Sequence, residues 1–192
     1  MMRVLPQDFY LRRPDIVARE LLGKLLVRVY KGIRLSGFIV ETEAYFGEED
    51  PASRARKGGD LAMTMRGEVG IALVYGVHRQ WLLNVVAHEP GNAGAVLIRA
   101  IEPFEGINMM KKLRAVNDIR NLTNGPGKLT RALAIDKRFH KRPLFLEYES
   151  LRIEQGRIVK PEEIGVSFRV NVTKDMPIPL RFYIKDSKFL SR

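Results

Sequence analysis

Apolar positions recur at helical spacing through residues 12–24 (RRPDIVARELLGK). Pro14 suits a first turn there, Asp15 the positive N-terminal end and Gly23 the C-terminal stop, so the stretch predicts a helix. The period then drops to two. Residues 24–46 (KLLVRVYKGIRLSGFIVETEAYF) predict two strands joined near Lys31 and Gly32. Residues 47–60 (GEEDPASRARKGGD) predict a polar connection, too rich in glycine and charge to be core. Three further apolar strands follow, broken at Gly76-Val77-His78 and at Pro90 to Gly94. EGINMMKKLRAVND carries helical periodicity, and GPGKLTRALAID opens a second helix behind a Gly-Pro-Gly loop. The tail returns to strands in VSFRVNV and LRFYIK. No repeat, low-complexity run or linker divides the chain. Strands early and late with helices between predict one α+β domain on an antiparallel sheet, spanning residues 1–192.

One strand breaks the pattern. Alternation through GFIVETEAYFG sets Val40, Thr42, Ala44 and Phe46 on one face and Ile39, Glu41, Glu43 and Tyr45 on the other. A face with two carboxylates and a ring in line reads either as a solvated surface or as the wall of a pocket. The chemistry open to a pocket is narrow, because the chain has no cysteine. Disulfides, thiol nucleophiles and cysteine-bound metals are excluded, and His78, His88 and His140 form no metal-binding spacing. Catalysis would rest on carboxylates, hydroxyls, lysines or backbone groups. No apolar run reaches the roughly 18 residues of a membrane helix, and the N-terminus lacks the apolar stretch of a signal peptide. The expectation is therefore a protein that stays in the cell.

Charge changes the picture most. With 33 Lys and Arg against 22 Asp and Glu, the net charge is +11, which points to a polyanionic partner such as nucleic acid. A ribosome-associated or merely alkaline protein would look the same by charge alone. A carboxylate at Glu43 beside an aromatic shelf at Tyr45 suits hydrolysis of a base from its sugar, the ring holding the base and the carboxylate deprotonating water. Arg99, after the apolar run AVLI, is either a structural ion-pair partner or a second group on that water. Gly125 and Gly127 flank Pro126 at a helix start followed by Lys128, Thr130 and Arg131. This reads as a plain cap or as a phosphate-binding turn like that of a helix-hairpin-helix module. Tyr75 lies at or beside a hairpin tip, where an aromatic either covers a strand or wedges into a base stack. The basic runs MMKKLR and DKRFHKRPL are solvated faces or backbone contacts.

Taken in order, GFIVETEAYFGEEDPAS, VYGVH with LLNVV, AVLIRAIEPFEG, NGPGKLTRALAI and PLRFYIKDSKFLS resemble the alkyladenine (3-methyladenine) DNA glycosylase family, from about Gly23 to the C-terminus. The resemblance implies a curved antiparallel sheet flanked by helices and a monomeric enzyme of base excision repair. It also implies a cytoplasmic, nucleoid-associated or nuclear setting. Such an enzyme flips a damaged purine out of double-stranded DNA and cuts its N-glycosidic bond with water, without metal, cofactor or lyase step. The resemblance makes Glu43 the general base, Arg99 its partner on the water, and the Val170 carbonyl the water's third contact. Tyr45 becomes the stacking ring, Tyr75 the side chain that fills the vacated space, and Asn84 the residue that disfavours guanine. His78 falls on the same DNA-facing hairpin, and Gly125, Gly127 and Lys128 on the backbone-binding loop. The base-reading positions depart from the family. Arg54 stands where a histidine is usual, and the second stacking tyrosine falls at Ala72. Two extra residues lie between His78 and Asn84, with Trp81 as a substitute aromatic surface or a core residue. Arg54 is expected to turn the preference from cationic alkylpurines toward neutral bases such as hypoxanthine. The alternative is a lesion- or duplex-DNA-binding protein on the same fold that has lost catalysis.

Overall fold

The computed structural model describes residues 2–191. After a 3-10 turn at Gln7–Tyr10, helix α1 (Pro14–Glu20) forms where the apolar spacing and Pro14 placed it. Strands β1 (Leu25–Tyr30) and β2 (Ile33–Tyr45) pair from Leu25↔Phe38 to Tyr30↔Ile33 across a two-residue turn. Lys31 and Gly32 there take φ of 50° and 75°, the left-handed geometry a tight hairpin needs. A second hairpin joins β3 (Ala72–Val77) to β4 (Gln80–Val86). Its turn residues are His78 and Arg79, both at positive φ, not Gly76-Val77-His78 as the glycine suggested. Tyr75 therefore sits within the strand, three residues short of the turn.

Strand β5 (Ala95–Glu105) and the long β2 form the middle of the sheet, whose order is β3-β4-β5-β2-β1-β6, with β6 at Leu151–Glu154. The last two strands, β7 (Ile164–Ser167) and β8 (Arg181–Ile184), pair with each other, and β8 takes up the edge of β2 beyond β1. Every strand pairing among the described residues is antiparallel. Helices α2 (Gly59–Met65), α3 (Ile107–Arg114) and α4 (Pro126–Ala132) complete the α+β arrangement. Val17, Ala18, Leu21 and Leu22 of the first helical segment pack into a core shared with Ile39, Ala44, Val96, Ile98 and Ile101. The Thr42 hydroxyl donates to the Ala18 carbonyl at 2.8 Å, which seats α1 on β2.

Three sequence expectations are corrected. Ile39 joins the core instead of the Glu41–Tyr45 face, because the register slips at Val40 and inverts the alternation. The polar connection holds a 3-10 turn at Arg54–Lys57 and the start of α2, and it buries Asp50, Ser53 and Ala55. Its polar residues are anchors: the Ser53 hydroxyl donates to the Phe46 carbonyl and accepts from the Ala55 N–H. The strand expected through VSFRVNV ends at Ser167, where Arg169 turns inward to buried carboxylates.

Candidate active site

The paired irregularities in β2 and β5 build the site. Register runs Ile39↔Ile101, then Glu41↔Ala100, then Thr42↔Ile98, so Val40 and Arg99 are each an extra residue on their strands. A bulge re-aims the side chain it carries. Here it delivers Arg99 between two carboxylates, with Nε 3.0 Å from Glu41 Oε1 and Nη1 3.3 Å from Glu43 Oε1. One cross-strand row, Asn84↔Leu97↔Glu43, runs through β4, β5 and β2 on the same face.

Glu43 is fully buried and still charge-compensated. The Tyr45 hydroxyl donates to Oε2 at 2.8 Å and the Val170 N–H to Oε1 at 2.7 Å, and Arg99 adds an ion pair to Oε1 at 3.3 Å. Burial first, and then the charge of Glu43, push the Tyr45 phenol far above its ordinary value, so Tyr45 stays a donor. Glu41 is held more tightly: it accepts from Arg99, from Arg181 at 2.7 Å, and from both the N–H and hydroxyl of Ser191. Its burial opposes ionisation, but the hydrogen bonds from Ser191 and Arg181 and the charge of Arg99 outweigh it and keep the carboxyl below its usual range.

Behind Tyr45 lies a second charged cluster. Arg169, with a fully buried side chain, makes a fork to Asp50 at 2.6 and 2.8 Å and reaches Asp175 at 2.6 Å. It also donates to the Ala44 carbonyl at 2.9 Å, and its guanidinium lies 4.5 Å from the centre of the Tyr45 ring. Burial opposes ionisation of Asp50, and the Arg169 fork and the N–H groups of Phe46 and Ala52 more than offset it.

In front of these groups opens a cleft of about 820 Å³, walled by Tyr45, Leu97, Arg99 and Val170 on the Glu43 side. Glu43 lies directly behind that wall. Of the other expected site residues, Arg54, Tyr75, His78, Gly125, Gly127 and Lys128 line the cleft. Tyr75 is half-buried beneath the Arg54 guanidinium, 4.9 Å from its ring centre. Lys128 donates to the Asn124 side chain at 2.9 Å. Gly127 admits the Gln80 side chain where a Cβ would collide with it. Asn84 is on the cleft-facing row but buried, its amide donating to the Leu73 carbonyl at 3.1 Å.

Two expected residues are elsewhere. Ala72 is buried in the core, and Trp81, opposite Gly76 on the reverse face of the hairpin, packs on the core while its carbonyl accepts from Thr130. Neither supplies an aromatic wall, because strand alternation points both away from Tyr75 and Leu82. Sequence reasoning also missed Asp50, Arg169, Arg181 and Ser191. The only available signal was an arginine inside each of the apolar runs SFRVNV and PLRFYI, a residue type that enters a sheet with a carboxylate partner.

Residues 8–188 match the family model described as "Methylpurine-DNA glycosylase (MPG)". The chain is 46% identical to a protein of Aeropyrum pernix over all of its own length and 95% of that protein. It is 40% identical to one of Carboxydothermus hydrogenoformans over 98% of itself and 99% of the relative. With one of Salinibacter ruber it is 41% identical, over 99% of itself and 97% of the relative. All three bear the name "Putative 3-methyladenine DNA glycosylase".

Proposed function

This chain belongs to the methylpurine-DNA glycosylase family, DNA glycosylases of base excision repair, and from that premise we propose that Glu43 is the base that activates water. The observation that carries the reading is the fully buried Glu43 carboxylate, held by Tyr45, Val170 and Arg99 behind the cleft wall. A carboxylate offers about four lone-pair positions, so the two hydrogen bonds from Tyr45 and Val170 leave room for a water. Arg99 is fixed by Glu41 on its other side and orients that water while offsetting the charge of Glu43. The damaged purine leaves the duplex at a cost of a few kcal/mol and stacks on the free face of Tyr45, which returns about 1–3 kcal/mol. Tyr75, with the hairpin around it, fills the vacated space. Water attacks the sugar carbon as the N-glycosidic bond breaks. The bonding pair departs with the base, and the water's proton passes to Glu43. The backbone carbonyl of Val170 is the water's third contact.

The pocket that receives the base is bounded by Tyr45, Arg54 and Tyr75. A guanidinium there repels positively charged alkylpurines and donates to acceptors of neutral ones, so hypoxanthine is the favoured substrate. The partner is double-stranded DNA with one such lesion.

A single-turnover assay tests the reading on duplexes with one hypoxanthine, ethenoadenine, 3- or 7-alkylpurine, uracil or no lesion, abasic sites being revealed by alkali. Glu43→Gln is expected to bind the preferred duplex and release no base, a loss of at least about 100-fold on the scale of general-base catalysis. Undiminished release by Glu43→Gln would remove Glu43 from the mechanism.

A further inference from the structure

Two parts of the cleft wall, the Tyr45 side chain and the Val170 backbone, donate hydrogen bonds to Glu43 from separate parts of the chain. Both rest on Arg169. Its guanidinium lies over the Tyr45 ring, 4.5 Å from the ring centre. Its peptide bond leads directly into Val170, whose N–H is 2.7 Å from Glu43. Arg169 is itself immobilised from three directions: the fork to Asp50, the contact with Asp175 and the bond to the Ala44 carbonyl. Asp50 is in turn tied by the N–H groups of Phe46 and Ala52, the first of them next to Tyr45 in sequence.

We infer that Arg169, clamped by Asp50 and Asp175, is a positioning residue that sets the plane of Tyr45 and the distance of Val170 from Glu43. The inference rests on the reading of Glu43 and Tyr45 given above. Arg169 touches neither base nor water; it acts through the two groups that do. Stability alone does not require this arrangement, since a buried ion pair is often no better than an apolar pair of the same volume. A planar fork with a flat face is what arginine supplies and lysine does not. Arg169→Lys keeps the charge and loses both the fork and the stack.

The test is a double-mutant cycle on the full chain, read as single-turnover base release at saturating enzyme, with duplex Kd and thermal melting measured alongside. Arg169→Lys is expected to slow release by about 10- to 100-fold, the penalty of a misplacement near 1 Å. Its duplex Kd is expected to stay within about threefold of wild type. In a Tyr45→Ala background the same substitution is expected to cost less than half of its wild-type penalty on a logarithmic scale, because two residues acting through one contact are not additive. If Arg169→Lys does not fold, Asp175→Asn takes its place in the cycle: Asp175 contacts Arg169 and loosens it from the more exposed side. Additive losses in the cycle, or a fall in rate matched by an equal rise in Kd, would reduce Arg169 to a structural role and overturn the inference. Glu43→Gln, run in parallel, separates the two failures. Base release that persists in that variant overturns the site reading and the inference together. Its loss beside an unimpaired Arg169→Lys overturns the inference alone.

Discussion

At Arg54 a guanidinium stands over Tyr75 and faces the cleft, so any base held there meets a fixed positive charge. Preference between a neutral and a cationic purine should therefore depend on this one side chain. Arg54→His is expected to shift the ratio of single-turnover rates, hypoxanthine over 7-methylguanine, by roughly tenfold toward the alkylated base, about the worth of one charge-assisted contact. A ratio that does not move would place base selection elsewhere, with the buried Asn84 next in line on the same strand row. The contact between Glu43 and Tyr45 was legible at this scale, because strand alternation sets both on one face. Arg169 was not: a run such as SFRVNV reads as sheet, and nothing local announces that its arginine will turn toward Asp50 and Asp175, more than a hundred residues away in one case.

Among elements, the hairpins and α1 could be read because turns and caps are short-range chemistry. The β1–β2 turn fell where Lys31-Gly32 placed it. The β3–β4 turn did not, because its left-handed positions are filled by His78 and Arg79 instead of the glycine two residues earlier. The bulges at Val40 and Arg99 leave no mark in either strand alone, since each exists only relative to its partner. They are what crowd Glu41, Glu43 and Arg99 together, and this crowding has a pH signature. Glu41 and Asp50 are buried and held below ordinary carboxylate values, as is Glu154 beside Arg34 and Arg152. Burial works against each of them, and the hydrogen bonds outweigh it. The unfolded chain then takes up protons first, so the stabilisation is complete above about pH 5, begins to fall through the unfolded-state values and is lost as pH drops through the lower folded-state values. Thermal melting followed from pH 6 downward should hold nearly level to about pH 5 and then drop. Asp50→Asn should flatten that drop while lowering the melting temperature at pH 6, because it leaves Arg169 without the charge of its bidentate partner. The cost there is about 3–5 kcal/mol. A variant with the wild-type acid limb would exclude Asp50 from it.

For the whole molecule, the excess of 33 cationic over 22 anionic side chains is not spread evenly in effect. Several arginines are consumed internally: Arg34 with Glu105 and Glu154, Arg99 and Arg181 with Glu41, Arg169 with Asp50. Lys57, Lys174 and Lys128, the last of them bonded to Asn124, line one opening together with His78 and the Gly125–Gly127 turn. A duplex lying across that opening displaces counterions from its phosphates, and each neutralised phosphate adds about 0.9 to the slope of log affinity against log salt. If three such contacts form, affinity for any duplex falls with a slope of about 2.7 in magnitude. Lys57→Ala combined with Lys174→Ala is expected to lower that slope by about two and to weaken binding to damaged and undamaged duplexes by the same factor. Equilibrium binding from 50 to 300 mM salt on matched duplexes decides it. A slope left intact would move the DNA to another face, and with it the direction from which a base could reach Glu43. A loss confined to the damaged duplex would instead make these lysines part of lesion recognition. An equal loss on both is the result that fits a surface built to hold backbone while the buried groups behind it judge the base.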